Sequence, residues 1–209
     1  MATETSKPEE KQKRQLVRLE RVMDVIYALV IWRLFMLLPR PNESSSQYET
    51  VASMLVANWD ILLIILLATL ITVVFWLQNN ELFGYLESTD SIHTGLAIFQ
   101  LLFLLFFLYV IGSGLRIKAT ADSRAIESLA ATMVGIISYA SWYYAFRRRG
   151  LVSKSVSTEK SEAILQRNLA EPITAAITIP AAFIGPFFWE LSWFFYPLLK
   201  YWLNRRKMK

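Results

Sequence analysis

The chain has 209 residues, 55% of them hydrophobic, with 22 Lys and Arg against 17 Asp and Glu and a net charge of +5. Its apolar residues are gathered into long blocks, which excludes an ordinary soluble domain and marks an integral membrane protein. The absence of cysteine removes disulfides, thiolate metal sites and cysteine nucleophiles, and a single histidine leaves no metal-binding set.

The first 15 residues, MATETSKPEEKQKRQ, are too polar for a signal peptide, so the apolar segment that follows is expected to be retained. That segment, about 22–38, is the first of six predicted spans and carries Asp24 and Arg33, two ionisable groups that are costly in a bilayer and point to function. A polar loop rich in serine follows it and reads as a flexible connection. Its Asn42-Glu43-Ser44 triplet fits a glycosylation acceptor, a pattern common by chance. The second and third spans, about 59–77 and 93–113, are the most apolar, the third interrupted by Gln100. Gly112-Ser113-Gly114 lacks the strand-to-helix context of a serine nucleophile and is expected to end the third span. His93 reads as a hydrogen-bonded or interfacial residue.

The fourth span, about 125–146, contains Glu127, Ser128, Ser138 and Ser141 and reads as a helix packed within a bundle. The fifth and sixth, about 170–185 and 188–203, are short and joined at Gly185-Pro186, with Pro172 suited to a helix start and Pro180 to a kink. With both termini on one side, that side carries 17 Lys and Arg and the other four, which predicts N-in, C-in topology. Arg147-Arg148-Arg149 is then chiefly a topology anchor, attraction of anionic lipid being the lesser reading. The expected organisation is a basic cytoplasmic segment over 1–21, a transmembrane domain over 22–203 and a basic cytoplasmic tail over 204–209. No phosphate loop, dinucleotide fingerprint, voltage-sensing arginine row or glycine-rich carbonyl filter occurs, and no nucleic-acid partner is needed to explain the charge.

Residues 18–24, R-L-E-R-V-M-D, resemble the RxxxFSD motif of the transmembrane protein 175 family of endolysosomal and prokaryotic potassium channels. Arg18 and Asp24 match, whereas Val22 and Met23 stand in place of Phe and Ser. Trp76, Asn79, Asn80 and Phe83 fall at the spacing of the family's WxxHHxxF, with both histidines replaced by asparagine. The resemblance covers roughly 18–203. It implies an all-α membrane protein of six helices per repeat, four repeats surrounding an axis lined by the first helix. A single-repeat chain would then be a homotetramer, prokaryotic in type and in the cell membrane, passing potassium ions without a cofactor or enzymatic activity.

The resemblance further implies that Leu29 is the narrowest pore position. Helical spacing puts Val22, Ile26, Arg33 and Met36 near the same face, with Val25 at its edge. A ring of Leu29 side chains would close the axis by dewetting, although such a face equally suits packing against neighbouring helices. Asp24 lies where the helix dipole favours a carboxylate and where Arg21 is in reach. The resemblance assigns it to a network between helices, with Trp76, Asn79 and Asn80 as expected partners. Arg33 is expected to pair with Asp60 or Glu190, the alternatives being that it faces the axis or turns outward. A conducting potassium channel is the leading reading. The alternative is a non-conducting or altered-selectivity protein of the same fold, an assembly partner or regulator, which Val22, Met23 and Arg33 favour. A secondary transporter ranks below both, because helix interruptions do not occur in pairs.

Overall fold

A computed structural model describes residues 6–38, 50–117, 120–148 and 150–205. These residues form nine helices: α1 (Ser6–Phe35), α2 (Val51–Ala57), α3 (Trp59–Phe83), α4 (Ser91–Ile117), α5 (Ala121–Arg147), α6 (Thr158–Arg167), α7 (Ala170–Ile184), α8 (Pro186–Ser192) and α9 (Phe195–Arg205). The fold is all-helical among the described residues, the 86–152 pairing being an isolated bridge.

The two most apolar blocks form α3 and α4. α3 and the Ser91–Leu115 part of α4 are each long and apolar enough to cross a membrane. Leu66, Leu70 and Leu77 of α3 and Phe99, Leu102 and Phe106 of α4 lie exposed, an apolar surface suited to lipid. α5 is less apolar and lies at the centre, against α4 on one side and α7 on the other. Its buried face holds Ser128, Ala130, Ala131, Gly135, Ser138 and Ala145, small residues that let backbones approach. A Cβ at Gly135 would stand 2.9 Å from the Pro172 backbone nitrogen, so only glycine fits where α5 crosses the start of α7. A buried hydroxyl cluster also joins these helices to α8: Ser128 Oγ accepts from Thr178 Oγ1 at 2.6 Å and from Trp189 Nε1 at 2.8 Å.

Several boundaries differ from the sequence expectation. The connection after the first span contains α2, started by a capping box in which Thr50 and Ser53 bond each other's backbone N–H. The Asn42-Glu43-Ser44 triplet lies outside the described residues. α4 does not stop at Gly112-Ser113-Gly114 but continues to Ile117; at Gly114 a Cβ would come within 3.3 Å of Glu127 Oε1, so glycine here serves packing. The 147–169 connection holds α6, capped by Ser157. The sixth span is broken at Trp193–Phe194 into α8 and α9, whereas Gly185-Pro186 turns the chain as expected. α1 extends upstream of residue 22 without interruption as far as Ser6.

Candidate functional site along the first helix

α1 has two unlike faces. Leu16, Leu19, Met23, Tyr27, Val30 and Leu34 recur every three or four residues and are buried, packed toward α3 and α4. Between them Val22, Val25, Leu29 and Trp32 are 49%, 58%, 54% and 57% exposed, a continuous apolar stripe left uncovered by the described residues. Of the predicted pore residues, Val22, Val25, Leu29 and Arg33 therefore stand on the open side, and Ile26 and Met36 are half-buried at its edges. The buried face is pinned at mid-helix, where Gln100 Nε2 donates to the Tyr27 hydroxyl at 3.4 Å. Gln100 is the polar interruption in the third apolar block, a signal visible in the sequence.

Asp24 meets two of its three expected partners. Trp76 Nε1 donates to Asp24 Oδ1 at 3.0 Å, and with the Asn80 amide turned to place its nitrogen inward, Asn80 donates to the same oxygen at 3.2 Å. Asn79 faces elsewhere: it is buried and borders a small space shared with His93, Gln100, Ser138 and Trp142. Adjacent residues on a helix project about 100° apart, so one asparagine serves α1 and the other α4 and α5. Arg18 and Arg21 are exposed, and neither belongs to an ion pair among the described residues.

Arg33 is likewise in no described ion pair, and neither is Asp60 or Glu190. It borders a cavity of about 380 Å³ between α1 and α4, lined also by Leu37, Leu105, Tyr109 and Ser113. The exposed guanidinium thus lies at the edge of the apolar stripe, on its α4 side.

Residues 18–108 match the family described as the endosomal/lysosomal potassium channel TMEM175. This stretch is similar to that family. The match begins at Arg18 and takes in α1, α3 and most of α4, the helices that build the site. A lysosomal potassium-selective channel TMEM175 homolog from Chamaesiphon minutus has a similar structure, with a TM-score of 0.71 at 17% identity over 92% of this chain and 98% of that one. A variant of the potassium channel MtTMEM175, crystallised with a nanobody–MBP fusion, gives 0.60 at 16% identity over 91% and 93%. At these identities the likeness concerns the fold, which is TMEM175-like along nearly the whole chain. No curated protein matches the chain in sequence.

Two further polar clusters brace the TMEM175-like fold at the end of the bundle near Asp24, the first around Asp90, which precedes the third apolar span as the resemblance implies. Asp90 caps α4 by accepting from the His93 backbone N–H at 2.9 Å, accepts from the Tyr144 hydroxyl at 2.6 Å and pairs with Arg148 at 3.4 Å. Burial pushes its carboxyl upward, but these hydrogen bonds and the Arg148 charge outweigh it and hold the group below its ordinary 3.8. His93 is buried, with Nδ1 2.9 Å from the Thr89 hydroxyl. In the second cluster, Glu171 at the start of α7 is bonded by Gln78 once that amide is turned, Tyr196 donates to it at 3.4 Å, and Arg167 pairs with Glu81. Glu171 went unnoticed in the sequence, because its partners Gln78 and Tyr196 lie on elements distant along the chain.

Proposed function

We propose that the chain is the subunit of a homotetrameric cation channel, permeable to potassium, with a hydrophobic constriction on its first helix in place of a carbonyl filter. The observation that carries this reading is the open stripe of α1: Val22, Val25 and Leu29 are half-exposed while the opposite face of the same helix is fully packed. In a soluble setting such a stripe would be an aggregation hazard; around a shared axis it becomes a pore wall. The match over 18–108 to a potassium channel family supports the same conclusion. On this reading the chain is a single-repeat, bacterial-type member with six spans over 22–203, flanked by basic cytoplasmic segments at 1–21 and 204–209, in the cell membrane.

Four Leu29 side chains form the gate by dewetting the axis, and rotation of α1 lets water return. Val22, Val25, Ile26, Arg33 and Met36 extend the lining, and Asp24 with Trp76 and Asn80 ties the pore helix to α3. Reconstituted in liposomes, the protein should pass potassium, and Leu29→Ala should raise the flux several-fold; an unchanged flux would remove Leu29 as the constriction. The second reading, a non-conducting or altered-selectivity member of the fold, is favoured by Arg33, whose charge has no described carboxylate partner. Arg33→Gln should shift the reversal potential toward cation selectivity if that group reaches the axis. Absence of potassium flux from both parent and Leu29→Ala would establish the second reading.

A further inference from the structure

A cavity of about 470 Å³ opens where the last turn of α5 meets the following loop and the start of α6. Arg147, Arg148, Lys154, Gly150 and Thr158 line it, together with one acid, Glu87. That acid is already engaged, since Ser153 Oγ donates to Glu87 Oε1 at 2.9 Å. Arg147 and Lys154 belong to no ion pair among the described residues. Arg148 pairs through Nε with Asp90 at 3.4 Å and donates to the Tyr144 hydroxyl at 3.2 Å, which leaves part of its donor fork available. Three cations facing one occupied carboxylate make the space electropositive, and Thr158, the first residue of α6, adds the positive end of a helix dipole.

The surroundings indicate where the anion comes from. The Arg147 guanidinium lies over the Tyr143 and Phe146 rings, 5.5 and 5.8 Å from their centroids. Tyr143 is itself exposed and stacked on Tyr139, one turn earlier along α5. Exposed aromatic rings beside arginines at the end of an apolar helix occupy the level of lipid headgroups. We propose that this cavity binds the phosphate of an anionic phospholipid, gripped by Arg147, Arg148 and Lys154, with Tyr143 at the boundary with the acyl chains. The proposal rests on α5 crossing the membrane and is independent of whether the chain conducts.

The test is native mass spectrometry of the purified full chain offered equal amounts of phosphatidylglycerol and phosphatidylcholine. Phosphatidylglycerol should be retained in preference, and the double variant Arg147→Gln with Lys154→Gln should weaken that retention about 10-fold, the scale of charge-assisted hydrogen bonds lost. Lys13→Gln, which removes a charge elsewhere, should leave it unchanged. Lys154→Gln alone alters an exposed side chain, so it should lower retention while the protein elutes normally. Equal retention of the two lipids, no loss in either Lys154 variant, or an equal loss in Lys13→Gln would overturn the site. Displacement of the lipid by millimolar inorganic phosphate would overturn its assignment to a lipid and identify a soluble anion as the ligand.

Discussion

Asp90 concentrates three roles in one carboxylate: it caps α4, receives the Tyr144 hydroxyl and anchors Arg148. Because its folded value lies below the ordinary 3.8, the stabilisation it contributes is complete above that pH and is lost as pH falls through the lower folded value. Thermal unfolding in detergent should therefore show an acid-labile component below about pH 4 that Asp90→Asn removes, with a lower melting temperature at neutral pH. A parent and variant with parallel pH profiles would show that Asp90 does not control acid stability. At this scale the candidate site was partly legible. The grouping of Asp24 with Trp76 and Asn80 was implied by the resemblance to the family's motifs, and in the structure the three side chains meet. Asn79 was not separable from Asn80 by spacing, because the direction of each side chain is settled by which neighbouring helix lies across from it.

Among the elements, α5 shows how weak hydropathy and strong packing coexist. The small residues of its buried face suit it to lie between α4 and α7, and the serines that lower its hydropathy were a readable sign of that position. Gly135→Ala should cost about 1–3 kcal/mol, the usual penalty of forcing a methyl group into a packed contact, because the obstacle is the Pro172 backbone. A lowered melting temperature, without loss of helical circular dichroism at low temperature, would bear this out. The short elements were the least legible. α2, α6 and the division between α8 and α9 depend on caps and tertiary contacts, whereas a window long enough to detect a membrane span averages over them. Thr50 and Ser53 did carry the capping signal for α2, but it lay within a run of polar residues.

For the whole molecule, the expected topology rests on an asymmetry of 17 Lys and Arg in one set of alternate connections against four in the other. The chain contains no cysteine, so single introduced thiols report sidedness directly. A membrane-impermeant maleimide added to intact cells should label Asp122→Cys and not Lys154→Cys, with both labelled after permeabilisation; the reverse pattern would invert the topology. The all-helical class was accessible from the apolar blocks, and the likeness to a TMEM175 homolog's fold extends over 92% of the chain. The proposed assembly rests on the α1 stripe, whose exposure in the single chain could not be read from hydropathy alone.

α1 runs unbroken through 30 residues, a rod about 45 Å long at the usual helical rise. It contains neither a glycine nor an internal proline near Leu29, so it has no hinge at which bending would be cheap. The charged stretch around Lys11–Arg18 and the stripe around Leu29 are consequently two ends of one lever arm. Torque applied to the charged end reaches Leu29 as rotation or tilt instead of being absorbed on the way.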